Sequence, residues 1–260
     1  MTGKKDLAKL IFEKLTNNDL EAISFLLSKQ LAKEKTEKIG ITKTPLLNSI
    51  GQELGKLLLK EKRKFKHLKE LWSLSLSKKE DLSQGLLSGR ELRLIIIGAL
   101  SVISKKQYEE VKNFIMDILN TIQDWETCDQ LALKVVVNLA IQNQKETFSL
   151  MRDWIASDNK WIRRLAVATI PPYIRARKQE AEICLKLLSH VMKEEDKDVK
   201  KAIGWALREI TKKDENAVFE FLKGWATTDN INTHQIIKEG MKKLPQKEQT
   251  ILNSLIFKNG

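Results

Sequence analysis

Apolar residues recur at three- and four-residue spacing, with charged residues between them, along almost the whole chain, as in Leu20-Glu21-Ala22-Ile23-Ser24-Phe25-Leu26-Leu27. That period puts one apolar stripe on one face of an α-helix, so the pattern predicts amphipathic helices throughout. Two runs are nearly continuous in apolar character: Leu92 to Ile103 around Ile95-Ile96-Ile97, and Leu133 to Ile141 around Val135-Val136-Val137. Each is long for a strand and lacks flanking turn residues, so both are predicted as helices buried on several sides. The inner layer of a helical repeat needs such helices.

A repeat is visible. Asp158-Asn159-Lys160-Trp161-Ile162-Arg163-Arg164-Leu165-Ala166-Val167 and Asp198-Val199-Lys200-Lys201-Ala202-Ile203-Gly204 share an acidic start, an apolar residue, two basic residues and a small-apolar run. Pairing Arg163-Arg164 with Lys200-Lys201 gives a period of roughly 37 residues, in the range of helix-pair repeats. Weaker echoes fall near Leu92-Arg93-Leu94 and Cys128-Asp129-Gln130-Leu131. One helix pair cannot bury its apolar face alone, so the pairs are expected to stack into a curved solenoid with a basic concave face. The acidic residue of each copy is expected to cap the second helix. Gly40-Ile41-Thr42-Lys43-Thr44-Pro45 reads as a loop ending in a helix start, with Thr44 as cap and Pro45 in the first turn. Pro171-Pro172 is expected to end the helix that follows Trp161, and Pro245 to set off a last short helix. None of these breaks resembles an interdomain linker, so the 260 residues are predicted to form one domain.

Composition adds a partner. Lys and Arg number 46 against 34 Asp and Glu, a net charge of +12 with a pI near 9.5, which points to a polyanion; a solvated lysine-rich surface is the alternative. Cys128 and Cys184 lie too far apart for a disulfide framework, which favours a reducing, cytoplasmic setting. His67, His190 and His234 stand singly, so no metal site is expected. Met1 to Leu15 alternates charge with apolar residues and no apolar run approaches a membrane span, so a soluble, untargeted chain is predicted.

Six of the sixteen aromatics are tryptophans. Trp72, Trp154 and Trp225 are assigned to packing, the usual role of an indole between helices. The other three sit beside charge. Trp125 and Asp129 are four apart, so indole and carboxylate share a helix face. Trp161 precedes Arg163-Arg164, and Trp205 lies three residues before Arg208. Cys128 is next to Asp129, but no histidine is near it in sequence and it reads as a small core residue.

Three segments, Trp125-x-x-x-Asp129, Lys160-Trp161-Ile162-Arg163-Arg164-x-Ala166 and Lys201-Ala202-Ile203-Gly204-Trp205-Ala206-Leu207-Arg208-Glu209, together with the loop at Gly40, resemble the HEAT-like-repeat DNA glycosylases of the DNA alkylation repair family, the AlkD-like proteins. The resemblance implies an all-α HEAT-like repeat fold. It implies that Trp125, Asp129 and Trp205 form a catalytic cluster against the deoxyribose of a lesion, and that Arg164 and Arg208 hold DNA. Arg163, Lys200 and Lys201 extend the expected DNA contact, because they recur with the repeat and suit phosphates, and Trp161, just before Arg163-Arg164, is grouped with them. The implied partner is duplex DNA carrying alkylated purines, bound by a monomer without cofactor or metal.

The residue types suit that chemistry. Alkylation at N3 or N7 leaves the purine cationic and already a good leaving group, so the need is to stabilise the positive charge growing on the sugar. A carboxylate does so directly, and indole faces do so through their quadrupoles. At about 4 Å and an effective dielectric near 20, the attraction from Asp129 amounts to roughly 4 kcal/mol, about three decades in rate. Two other readings stand beside this one: a non-catalytic binder of DNA structure using the same groove, and a protein-binding helical scaffold. A pure DNA binder gains nothing from a carboxylate facing a polyanion, and a scaffold predicts a mixed-charge face without recurring arginines and tryptophans.

Overall fold

The structure, a computed structural model, describes residues 3–31, 42–77 and 89–258. It is an all-α helical-repeat architecture, and its contacts divide into two compact units, residues 1–121 and 122–260.

In the first unit the helices are α1 (Lys4–Thr16), α2 (Leu20–Leu31), α3 (Thr44–Leu58), α4 (Lys64–Ser77), α5 (Gly89–Ile103) and α6 (Tyr108–Ile118). Helices α1, α3 and α5 pack in one row, while α4 packs on α5 and α6. Helices α1 and α3 carry their apolar stripes inward, with Leu7, Ile11, Leu15, Leu47, Ile50, Leu54 and Leu58 all buried. The run Leu92–Ile103 is helical as predicted, and Leu92, Leu94, Ile95, Ile96, Ile97 and Leu100 are all buried, so α5 is covered on several sides. Backbone meets backbone between α3 and α5: a Cβ on Gly51 would lie 2.1 Å from the Ile95 carbonyl oxygen, so only glycine fits there. The predicted cap of α3 is corrected. Thr44 is already helical, and the capping residue is Lys43, without a side-chain cap. The Thr44 hydroxyl instead accepts from Arg90 Nη2 at 3.0 Å. Gly40 and Ile41 of that loop lie outside the described residues.

The second unit contains α7 (Trp125–Leu131), α8 (Val137–Gln142), α9 (Gln144–Ile155), α10 (Lys160–Ala176), α11 (Ala181–Leu188), α12 (Lys197–Thr211), α13 (Glu215–Trp225), α14 (Ile231–Gly240) and α15 (Gln246–Lys258). One layer runs α7, α10, α12, α14, each packed on the next; α11, α13 and α15 pack successively in the other. The repeat is expressed in the caps. Asp124, Asn159, Asp196 and Asn230 each accept a backbone N–H at the start of the first-layer helices, spaced 35, 37 and 34 residues apart. The expected caps Asp158 and Asp198 are therefore corrected to Asn159 and Asp196. Asp198 is left inside the first turn of α12, where its backbone and carboxylate become available to α10.

Two further features depart from pattern. The run Leu133–Ile141 is helical, but Ala132–Val136 is wound as a π turn between α7 and α8, a wider turn that recurs near functional sites. Pro171 and Pro172 do not end α10, which continues to Ala176. The turn after them holds Tyr173 and Ile174, both fully buried, and the Tyr173 hydroxyl donates to Glu180. Burial of that turn outweighs the backbone hydrogen bonds that two prolines cannot make. Pro245 does precede α15.

Candidate nucleic-acid interface

Counted from their caps, Asp129, Arg164 and Lys201 are each the fifth residue of neighbouring first-layer helices, and Trp125 is the first and Trp205 the ninth of theirs. Positions one, five and nine share a helix face, so the repeat presents these groups in register. The pairing among them is specific. Arg164 Nε donates to Asp129 Oδ1 at 2.9 Å and Nη2 to Oδ2 at 2.7 Å, a fork that holds the carboxylate by both oxygens. The third guanidinium nitrogen, Nη1, donates to the backbone carbonyl of Asp198 on α12. Arg164 thus ties α7, α10 and α12 together. Its side chain is 10% exposed and that of Asp129 is 14%. Trp125, one turn before Asp129, is 60% exposed, an unusual setting for the largest side chain.

The other expected contacts divide by what holds them. Arg163 forms a fork with Glu194 at 2.7 and 3.0 Å and also donates to the carbonyls of Ser157 and Asp158. The Glu194 carboxylate raises the Arg163 pKa. Arg208 donates to the Glu239 carbonyl at 2.9 Å and lies 3.6 Å from its carboxylate. Gly204 makes room for this contact, since a Cβ there would come within 2.8 Å of Glu239 Cβ and 3.2 Å of Arg208 Nη1. Lys200 donates to the amide oxygens of Asn232 and Gln235 at 2.9 and 2.6 Å, which hold it without neutralising it. Lys201 is 71% exposed, with an Asp198 carboxylate oxygen 4.0 Å from its ammonium. Trp161 and Trp205 are half-buried.

Sequence reasoning passed over several of these groups. Glu194, Asp198 and Glu239 are the partners of the arginines, and no local pattern links them across 31 to 34 residues. Lys160 was closer to view, being next to Trp161. Its ammonium stands 4.5 Å from the centre of the Trp161 ring and bonds Asp198 at 3.1 Å, the largest cause of its raised pKa. Cys128 is fully buried, its thiol donating to the Trp161 carbonyl at 2.9 Å, and burial pushes its pKa well up. It packs, as expected, and offers no thiolate. Trp72 and Trp154 are buried, and Trp225 is half-buried.

A sequence profile of the family described as DNA alkylation repair enzyme matches residues 28–244. The chain belongs to this family. Solved structures with a similar fold include a predicted DNA alkylation repair enzyme from Enterococcus faecalis, 20% identical, covering 84% of this chain and 94% of that one with a TM-score of 0.60. AlkD2 from Streptococcus mutans is 19% identical over 84% of this chain and 97% of its own, at 0.59. The alkylpurine DNA glycosylase AlkC from Pseudomonas fluorescens, solved bound to DNA containing an abasic site analog, is 15% identical over 97% of this chain and 66% of its own, at 0.51. At these identities the likeness is one of fold. No curated protein matches the chain. Among the described residues of this alkylation-repair family member, no helix is long and apolar enough to cross a membrane.

Proposed function

We propose that this chain is a DNA glycosylase that releases N3- or N7-alkylated purines from duplex DNA by hydrolysing the N-glycosidic bond. The bond between the sugar C1′ and the purine nitrogen breaks, its electron pair neutralising the cationic base. Water adds to C1′ and gives up a proton, leaving free base and an abasic site. Asp129 stabilises the positive charge on the sugar, and Trp125 and Trp205 offer indole faces to it. The observation that carries this reading is the fork from Arg164. It fixes the Asp129 carboxylate in one orientation beside an exposed indole, with no electrostatic reorganisation left for the reaction itself.

The same fork changes two expectations. Arg164 is proposed as a positioning residue in place of a phosphate contact, because each of its three nitrogens already donates inside the fold and its side chain is only 10% exposed. It also offsets part of the field of Asp129. With the carboxylate about 4 Å from the sugar and the guanidinium roughly 8 Å away, the net attraction drops from about 4 to about 2 kcal/mol, or one to two decades in rate. That neutralisation is also what favours the second reading, a binder of DNA structure without catalysis. The phosphate contacts are assigned to Lys200, Lys201 and Arg208, whose charges remain at least partly free of carboxylates.

Asp129→Asn decides between the two. Single-turnover excision from DNA bearing 7-methylguanine or 3-methyladenine should drop about tenfold to a hundredfold while binding is unchanged or tighter, because a group repelled by phosphates favours only the transition state. Parent protein that binds such DNA and releases no base supports the structural binder instead.

A further inference from the structure

The first unit holds a cluster that the chemistry at Asp129 does not use. The chain turns from α3 into α4 through Lys60-Glu61-Lys62-Arg63 and continues with Lys64, Lys66 and Lys69, six cations within ten residues. Lys60, Lys62, Arg63, Lys66 and Lys69 are exposed and Lys64 is half-buried. Their compensation is thin. Lys69 binds Asp117 at 2.5 Å, but Arg63 and Glu61 stand 4.0 Å apart and Lys66 and Glu70 3.8 Å. Lys60, Lys62 and Lys64 have no ion pair among the described residues. No acidic residue occupies the first turn of α4, so these cations face the positive pole of the helix and one another. An incoming anion relieves both repulsions.

Next to them is a cavity of about 780 Å³, with Leu20, Phe65 and Leu74 as its apolar lining and Lys66, Lys69, Glu70, Ser73 and Ser77 as its polar lining. Phe65 is half-buried and braced by Phe114, with ring centres 6.2 Å apart; Phe114 in turn meets the edge of Trp72 at 6.4 Å. The ring is therefore held in place by the core of its own unit. Cations flanking a cavity that contains an aromatic ring braced from behind match a ligand that repeats phosphate and flat ring.

We propose that this surface binds a single strand of nucleic acid, with phosphates at Lys62, Arg63, Lys64 and Lys66 and a base entering the cavity against Phe65. Duplex DNA turns its base faces inward and has nothing to place in the cavity. An acidic peptide supplies charge without the flat ring, and a lipid surface does not enter a concavity. The site is independent of the catalysis proposed at Asp129, and each can fail without the other.

The test is fluorescence anisotropy of the full chain with a labelled twelve-nucleotide oligothymidine and with a duplex of equal length, across a salt series. The combined variant Lys62→Ala, Lys64→Ala, Lys66→Ala should bind the oligothymidine at least about tenfold more weakly, with the salt slope flattened by roughly two units, at about 0.7 for each phosphate no longer neutralised. Phe65→Leu keeps an apolar group against Phe114 and removes the ring; it should weaken strand binding about fivefold at unchanged slope. Should that variant lose stability, Ser73→Trp, filling the cavity from an exposed position, serves in its place. Duplex affinity and Tm should stay near the parent values throughout. Unchanged oligothymidine affinity in these variants overturns the proposal. So does a parallel loss of duplex binding, which makes the corner a general polyanion track, or equal competition by polyglutamate of matched charge, which makes it a peptide surface.

Discussion

Between Lys60 and Lys66 the cations of the first unit reach solvent largely unpaired, whereas in the second unit Arg163 is forked to Glu194, Arg164 to Asp129, and Arg208 is folded against Glu239. Residues 1–121 carry 23 Lys and Arg against 15 Asp and Glu, and residues 122–260 carry 23 against 19. Similar numbers of cations therefore serve different ends. In the second unit arginine, with a planar fork of donors, and Lys160 and Lys200 join neighbouring helices of the repeat, whereas in the first unit Lys60, Lys62 and Arg63 stay outside. A basic residue aligned with a repeat is thus evidence for a repeated position before it is evidence for a phosphate.

The largest expected effects are at the tryptophans. Trp72 is 2% exposed and its indole N–H donates to Thr121 at 2.9 Å, so Trp72→Ala should cost about 3–5 kcal/mol in chemical denaturation. Trp125→Ala in the second unit should cost under about 0.5 kcal/mol yet slow excision, as befits an exposed indole. Equal destabilisation by the two would return Trp125 to packing.

Arg164→Ala comes next. Removing one partner of a buried ion pair costs about 3–5 kcal/mol, and the residual exposure of this pair lowers the expectation to about 2–3 kcal/mol. Arg164→Lys should keep part of the stability and lose most of the excision, since an ammonium cannot hold both carboxylate oxygens. Neither change should alter the salt dependence of duplex binding; a slope flattened by one unit would make Arg164 a phosphate contact after all.

Burial raises the Asp196 carboxyl, but the N–H groups of Asp198 and Val199 and the ammonium of Lys160 outweigh it and hold its pKa below the ordinary 3.8. A depressed folded value contributes stability that is complete above the unfolded pKa and is lost as pH falls through the folded one. Asp196→Asn should therefore match the parent at neutral pH, because Asn caps as well, and lose less stability on acidification below about pH 4. An unchanged acid limb would remove Asp196 from that account. Lys201→Ala should flatten the salt slope of duplex binding by about 0.9 without touching oligothymidine binding, the reverse of the combined variant at Lys62, Lys64 and Lys66. A matching loss in both assays would mean that the two units do not divide the nucleic acid between them.

The helical character, the repeat of first-layer helices and the family follow from the sequence, because each depends on contacts within a few residues or on a pattern recurring at constant spacing. Apolar stripes mark the helices, Asp, Asn, Pro and Gly mark most of their starts, and the motifs around Trp125, Lys160 and Lys201 mark the family. What tertiary structure decided is every feature that depends on which neighbour arrives at a given turn. The two prolines remain inside α10 because buried Tyr173 and Ile174 follow them, and the Thr44 hydroxyl accepts from Arg90, 46 residues along the chain. The cap of α12 lies two residues earlier than the motif suggested, which leaves the Asp198 carbonyl to meet Arg164. The arginines were visible as charge, but their partners lie 31 to 35 residues away, one repeat along the chain. Local periodicity sets the face on which a side chain sits; only the stacking of one repeat on the next determines whether that face meets a carboxylate, a carbonyl or water.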